Sequence, residues 1–320
     1  MIAFVSLLFT GACDEQSSYG NTVRSQVPES VDSLQRRAER SDRVRERRDR
    51  RRDRRGNRRG SRGSVDLLPH RGDYIIEVSG YNTTTYVNAK GTLTIDLIDD
   101  CDDWTLQEKL DVVLYDQAKK TYRSNLLYRA TEMASADRFV FAYSRDHLGE
   151  REDYIGDVRP APEGFLTHFS EPKITDLLLP GDVSFPISHF RQVLANASGQ
   201  GGAFEAVVFD GGNAIAYLAV TEIGLPLRSK ESNHRIVAAR KMLERNTSDR
   251  LPAGATWPVT TSYYPLDNPY AAPVFTRDFL LHETGIMIGL HLNYGDLQMD
   301  AKLANLDIFE PSRCAPAKGR

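Results

Sequence analysis

The sequence predicts a mainly β fold, organised as one long antiparallel sheet that curves to bury its apolar face. Three observations predict it. From about Leu67 onward, apolar residues recur mostly at every second position, the period of a strand with one buried face. The runs are short and bounded by turn residues, as in a meander. Only two stretches of this region carry helical signals. A sheet of so many strands curls or closes, because free edges invite aggregation.

The elements follow in order. Tyr74–Tyr81, Tyr86–Ile98 and Thr105–Tyr115 read as successive strands, and Tyr122–Thr131 and Arg138–Arg145 continue the series. Pro160-Ala161-Pro162 marks a turn, followed by shorter candidates around Gly164–Phe169 and Lys173–Leu178. A helix is predicted from near Pro186, a favoured first-turn residue, to about Ala197, ahead of Gly199. Its apolar face is Phe190, Val193, Leu194 and Ala197. Phe204–Phe209 and Ala214–Ile223 flank Asp210-Gly211-Gly212-Asn213, a hairpin-grade turn. A second helix, roughly Ser232–Arg245, is highly charged and reads as a surface insertion. Thr256–Tyr264, Val274–His282, Met287–Tyr294 and Leu297–Phe309 complete the strands. Glu283-Thr284-Gly285 and Tyr294-Gly295-Asp296 supply turns among the last three.

Charge divides the 320-residue chain. Residues 1–63 hold sixteen Arg, no Lys and nine acidic residues, a net of +7. The rest holds 25 basic and 35 acidic residues, a net of −10. The whole-chain value of −3 hides a basic arm on an acidic body. Residues 14–35 are polar, and residues 36–62 have no apolar periodicity, so disorder is the expectation there.

The first twelve residues, MIAFVSLLFTGA, are apolar or small. A spanning helix takes about 20 such residues. This stretch suits the apolar core of a secretory signal ending in small residues, although no Lys or Arg precedes it. Cys13 follows Thr-Gly-Ala, where a lipoprotein peptidase would leave the first mature residue, with Thr10 where such signals usually carry Leu. If Cys13 is lipidated or removed, Cys101 and Cys314 remain. An exported protein would join such a pair in a disulfide, and a retained one would bury two free thiols.

Chemistry-bearing motifs are sparse. No G-x-S-x-G elbow occurs, and His282-Glu283 lacks the second His of a metalloprotease helix. His282 and His291 fall on adjacent predicted strands, without evident third and fourth ligands. Asp99, Asp100, Asp102 and Asp103 surround Cys101, but their spacing is not an EF-hand loop and reads as a solvated acidic turn. Arg71-Gly72-Asp73 spells an adhesion tripeptide but leads into a strand. No catalytic residue, metal or cofactor is expected. The Arg-rich arm suits an anionic membrane surface. Interleaved acidic residues, the absence of aromatics from residues 36–62 and the export signal argue against nucleic acid. With a lipid on Cys13 the arm would be a tether reaching on the order of 40 Å.

Several segments carry a resemblance to a known family. Leu68-Pro69-His70-Arg71 opens the body, and Cys101 stands just before Trp104. Leu179-Pro180-Gly181 precedes Phe185-Pro186 and His189, and Phe209-Asp210-Gly211 makes the hairpin turn. Trp257-Pro258-Val259 with Tyr263-Tyr264 leads to Asn293-Tyr294-Gly295-Asp296 and Cys314. In that order, residues 66–316 resemble the EipB family, alphaproteobacterial periplasmic proteins of cell-envelope integrity.

The resemblance implies a β-spiral or open barrel wound around a central helix, closed by one disulfide between Cys101 and Cys314. It marks His70, Arg71, His189, Asp210 and Trp257 as family-motif positions. It implies a non-enzymatic role in the periplasm, with envelope proteins or lipids as partners and tethering through Cys13 as an addition. The alternative is a carrier of a lipid or lipoprotein in the concave face of the sheet, by analogy with lipoprotein-carrying half-barrels. The expected division is a signal peptide at 1–12, the arm at 13–65 and the folded domain at 66–320. The arm and the 228–250 insertion depart from the family pattern.

Overall fold

The computed structural model describes residues 67–81, 86–133, 138–147, 149–199, 201–227, 250–266, 272–293, 297–310 and 312. The expected signal peptide, the arm, Cys13, Cys314 and the charged helix at 232–245 lie outside the described residues.

Fourteen strands and one helix are described. The first half holds β1 (His70–Tyr81), β2 (Asn88–Asp100), β3 (Asp103–Tyr115), β4 (Thr121–Met133) and β5 (Phe139–His147). It continues with β6 (Glu150–Ala161), β7 (Gly164–Glu171), β8 (Leu177–Leu179) and the helix α1 (Pro186–Gly199). The second half holds β9 (Gly202–Val208), β10 (Tyr217–Ile223), β11 (Thr256–Pro265), β12 (Phe275–His282), β13 (Met287–Asn293) and β14 (Leu297–Ile308).

All fourteen strands join in one sheet, ordered β8-β7-β6-β5-β4-β3-β2-β1-β14-β13-β12-β11-β10-β9. Every neighbouring pair but β1–β14 is consecutive in the chain, so the sheet is a meander folded back on its own start. The sheet is not closed. Its edges are β8 and β9, and the segment leaving β8 makes a single parallel bridge, Ser184 to Val208. The Ser184 amide donates to the Val207 carbonyl at 2.8 Å, and the Phe209 amide donates to the Ser184 carbonyl at 3.1 Å.

Period two sets the two faces. On β3, Leu106, Leu110, Val112 and Leu114 are buried, and Lys109 between them is exposed. Each fully buried aliphatic contributes about 1.5–3 kcal/mol by leaving water. The helix lies against the core with Phe190, Val193, Leu194 and Ala197 buried, the predicted apolar face, and it touches β4, β9 and β10. Helix α1 therefore contacts strands of both halves, and its entry is pinned by aromatic packing. Phe185 stacks on Phe139 with centroids 4.6 Å apart, and Phe209 meets Phe141 edge-on at 5.7 Å. The Arg191 guanidinium lies over the Trp104 ring at 5.1 Å.

Four expectations need correction. Glu150–Ala161 is a full strand, although the sequence offers only the turn at Pro160 there. Half its residues are charged and only Gly156 and Val158 are buried, so it lacks apolar alternation; nine registered pairs with β5 make it a strand. The candidate at Lys173–Leu178 shrinks to Leu177–Leu179, which pairs with β7 over three residues. Asp210-Gly211-Gly212-Asn213 is no tight hairpin turn: β9 and β10 pair from Val208 and Tyr217, leaving 209–216 as a loop whose first residues are buried. Finally, His282 and His291 do not meet. His291 lies opposite Asp278 and binds Asp300 at 2.7 Å, whereas His282 Nδ1 lies 2.7 Å from the Thr284 hydroxyl.

Candidate functional site

Alternation leaves the outer face of the first half rich in charge, and the strand register lines those charges up. Arg71 on β1 lies opposite Asp307 on β14 and Asp96 on β2. Asp96 lies opposite Gln107, which lies opposite Arg129. Arg129 faces Ala142, and Ala142 faces Ile155 on β6. A second row runs beside the first: Asp73 opposite Thr94, Thr94 opposite Lys109, Lys109 opposite Leu127. It ends at Ser144 and Asp153. Both rows line one groove of about 670 Å³. Ala142 and Ser144 are small, which lowers the floor between Arg129, Leu127 and Ile155.

The charges at the groove's ends are satisfied within the protein. Arg71 donates to both carboxylate oxygens of Asp96, at 2.6 and 2.8 Å. This bidentate bond raises the guanidinium's pKa. Asp73 accepts from Thr94 at 2.9 Å and from Asn305 at 3.3 Å. Arg250 holds Asp307 at 2.8 Å, and Arg151 holds Asp153 at 2.8 Å. The Arg151 bond keeps the Asp153 carboxyl below its ordinary value. At the centre, Lys109 and Arg129 have no hydrogen-bond or ion-pair partner among the described residues.

The family-motif positions are not gathered into one site. Arg71 lines the groove, whereas His70, His189, Asp210 and Trp257 are buried. His70 donates from Nδ1 to the Leu68 carbonyl at 2.7 Å, and burial lowers its pKa. His189 on α1 is pushed down to about 3 by burial, then by the Arg277 charge. Asp210 accepts the Gly212 amide at 2.9 Å, and its backbone carbonyl accepts the Tyr128 hydroxyl at 2.7 Å. Its second carboxylate oxygen has no partner among the described residues, and burial pushes its pKa up to about 6. Gly211 has φ +76°, and an added Cβ would fall 2.2 Å from the Phe141 ring. Asp210-Gly211 is therefore a packing device joining the β9–β10 loop to β4 and β5.

Elsewhere, Cys101 sits in the exposed β2–β3 turn with φ 61°. Ser312 donates from its hydroxyl to the Asp99 carbonyl at 2.5 Å, so the end of the described chain lies beside this turn. No group of three or more metal-ligating side chains occurs among the described residues. Arg71-Gly72-Asp73 is strand: Gly72 lies so close to the Tyr74 ring that a Cβ would come within 2.9 Å of it. Between α1 and β11–β13 the free space is about 10 Å³, roughly one water's worth. No helix among the described residues is long and apolar enough to cross a membrane.

Sequence reasoning missed Lys109, Arg129 and Asp96. Their signal was present as polar residues at alternate positions of long strands, but only the register shows which of them share a row.

An open antiparallel sheet with a helix against its buried face and a charged groove on the other defines a β-barrel-like protein. The chain belongs to the EipB-like family, whose model matches residues 61–310. It is similar to the cell envelope integrity protein EipB of Brucella abortus (strain 2308), with 23% identity over 189 residues. That match covers 58% of this chain and 64% of the relative, so the chain spans less than two thirds of the relative's length. It is also similar to the crystal structure of a β-barrel-like protein of a domain of unknown function from Brucella abortus. The TM-score is 0.64 at 20% identity, over 77% of this chain and 100% of that one. That likeness establishes the shared fold.

Proposed function

We propose that the protein supports cell-envelope integrity from the periplasm, without catalysis, by binding envelope components or proteins. The observation that carries this reading is the 670 Å³ groove, open to solvent and holding two cations without a partner among the described residues; the space between α1 and β11–β13, by contrast, holds about one water. On this reading, binding takes place on the outer face, where the groove lies. Similarity to a protein named for cell-envelope integrity supports the setting. A carrier of a lipid or lipoprotein inside the sheet would need α1 to move away from β11–β13. Oxidation in the periplasm would join Cys101 to Cys314, and the Ser312–Asp99 contact supports the pairing. The Arg-rich arm would contact the anionic membrane surface, and a lipid on Cys13 would add a tether.

The test is a deletion strain challenged with detergent and with an inhibitor of cell-wall synthesis. Reduced survival, restored by the wild-type chain, is the expected result. Normal survival under both stresses would refute the envelope role. Fractionation of cells carrying the chain without residues 14–63 tests the arm: release from the membrane fraction is expected, and unchanged partitioning would reduce the arm to a spacer.

A further inference from the structure

The two rows of the groove are aligned across seven strands, from β14 through β1 to β6. At about 4.8 Å per strand this is a track of roughly 29 Å. An extended polypeptide covers such a length with about eight residues. Charge along the track is uneven. Arg71, Asp307 and Asp153 are neutralised by neighbours, but Lys109 and Arg129 at the centre are not. These two are diagonal neighbours on β3 and β4, since Lys109 lies opposite Leu127 and Arg129 opposite Gln107. Diagonal neighbours are about 7–8 Å apart. Alternate residues of an extended peptide are about 6.8 Å apart on one side of the strand. Along the track the two lie one strand spacing apart, and their long, flexible side chains bring both cations within reach of carboxylates two residues apart on the peptide.

We infer that the groove binds an extended acidic peptide segment of a partner protein, with one carboxylate on Lys109 and the next on Arg129. Leu127 and Ile155, both well exposed for aliphatic residues at 56% and 41%, receive an apolar side chain between or beside the acids. Charged side chains from Arg71 to Asp153 are spread along the whole lining, which suits a polar backbone with acidic side chains better than a continuous acyl chain. This inference rests on the proposed binding role and names the ligand class.

The probe is a fluorescein-labelled octapeptide with Glu at alternate positions and Val between, titrated into the full chain and followed by anisotropy. Its Lys counterpart is the control. The Glu peptide should bind, and binding should weaken as salt screens the pairs. Lys109→Glu with Arg129→Glu should weaken it by roughly tenfold or more, the equivalent of about 1.4 kcal/mol. Lys109→Gln with Arg129→Gln should give a smaller loss. Lys90→Glu with Arg138→Glu changes net charge equally at exposed sites outside the groove and should leave binding intact. Equal loss in both Glu doubles, or no loss in the groove double, would overturn the proposal. Groove-dependent binding of phosphatidylglycerol vesicles without binding of the Glu peptide would overturn it in favour of a lipid surface. Because these readouts use purified protein, they fail or succeed independently of the survival assay.

Discussion

The carboxylate of Glu132 on β4 accepts both the amide and the hydroxyl of Ser188, at 2.9 and 2.5 Å, from 56 residues earlier in the chain. It also accepts the Ile187 amide. The first turn of a helix exposes amides without internal partners and carries partial positive charge. No acidic residue lies in the first turn of α1, so a strand supplies the cap. Burial raises the Glu132 pKa, and these three bonds oppose that rise.

Removing the cap should be costly. Glu132→Ala leaves the buried Ile187 amide and the half-buried Ser188 amide and hydroxyl without this partner, which should cost about 2–4 kcal/mol, whereas Ser188→Ala should cost about 1 kcal/mol. Urea unfolding would measure both. A loss below about 0.5 kcal/mol for Glu132→Ala would show that α1 is held by apolar packing alone.

Asp210 should make stability depend on pH. Its folded pKa, about 6, lies above the ordinary carboxyl value. The folded state therefore holds this proton more tightly, so its contribution is present at pH 4 and is lost as pH rises through about 6. Asp210→Asn mimics the protonated form. It should raise the melting temperature at pH 7.5, by up to about 3 kcal/mol in stability, and change it little at pH 4. An identical pH profile for variant and wild type would exclude titration at this site.

Gly211→Ala should destabilise by about 2–4 kcal/mol. The left-handed backbone and the Phe141 ring, 2.2 Å from the added Cβ, both oppose a side chain. A melting temperature within about 2 °C of wild type would mean that the loop moves away from Phe141 freely.

Cys101→Ser or Cys314→Ser should lower the melting temperature in oxidising buffer and leave it unchanged under reductant. A loop of about 214 residues contributes about 5 kcal/mol in the chain-entropy model. Intact mass should show the two-hydrogen loss of the bond. Equal melting of mutant and oxidised wild type would rule the pairing out.

Strand content was readable wherever apolar residues alternate, as in Leu106 to Leu114 of β3, because one buried face imposes period two on the sequence. The buried face of α1 was readable for the same reason at period 3.6. Glu150–Ala161 was not, because its strand state comes from backbone bonds to β5 rather than from its side chains. Nor was the role of Glu132, since no local pattern links a strand carboxylate to a helix that starts more than 50 residues later.

By itself the sequence determined the mainly β class, the basic arm, the position of the helix and the family pattern around His70, Cys101, Asp210 and Trp257. These follow from local periodicity, composition and residue order. Tertiary structure alone decided that β1 lies beside β14, that the sheet stays open between β8 and β9, and that Lys109 and Arg129 share a groove with Arg71. Each of these depends on register between strands, and register is set by hydrogen bonds and packing across the sheet rather than along the chain.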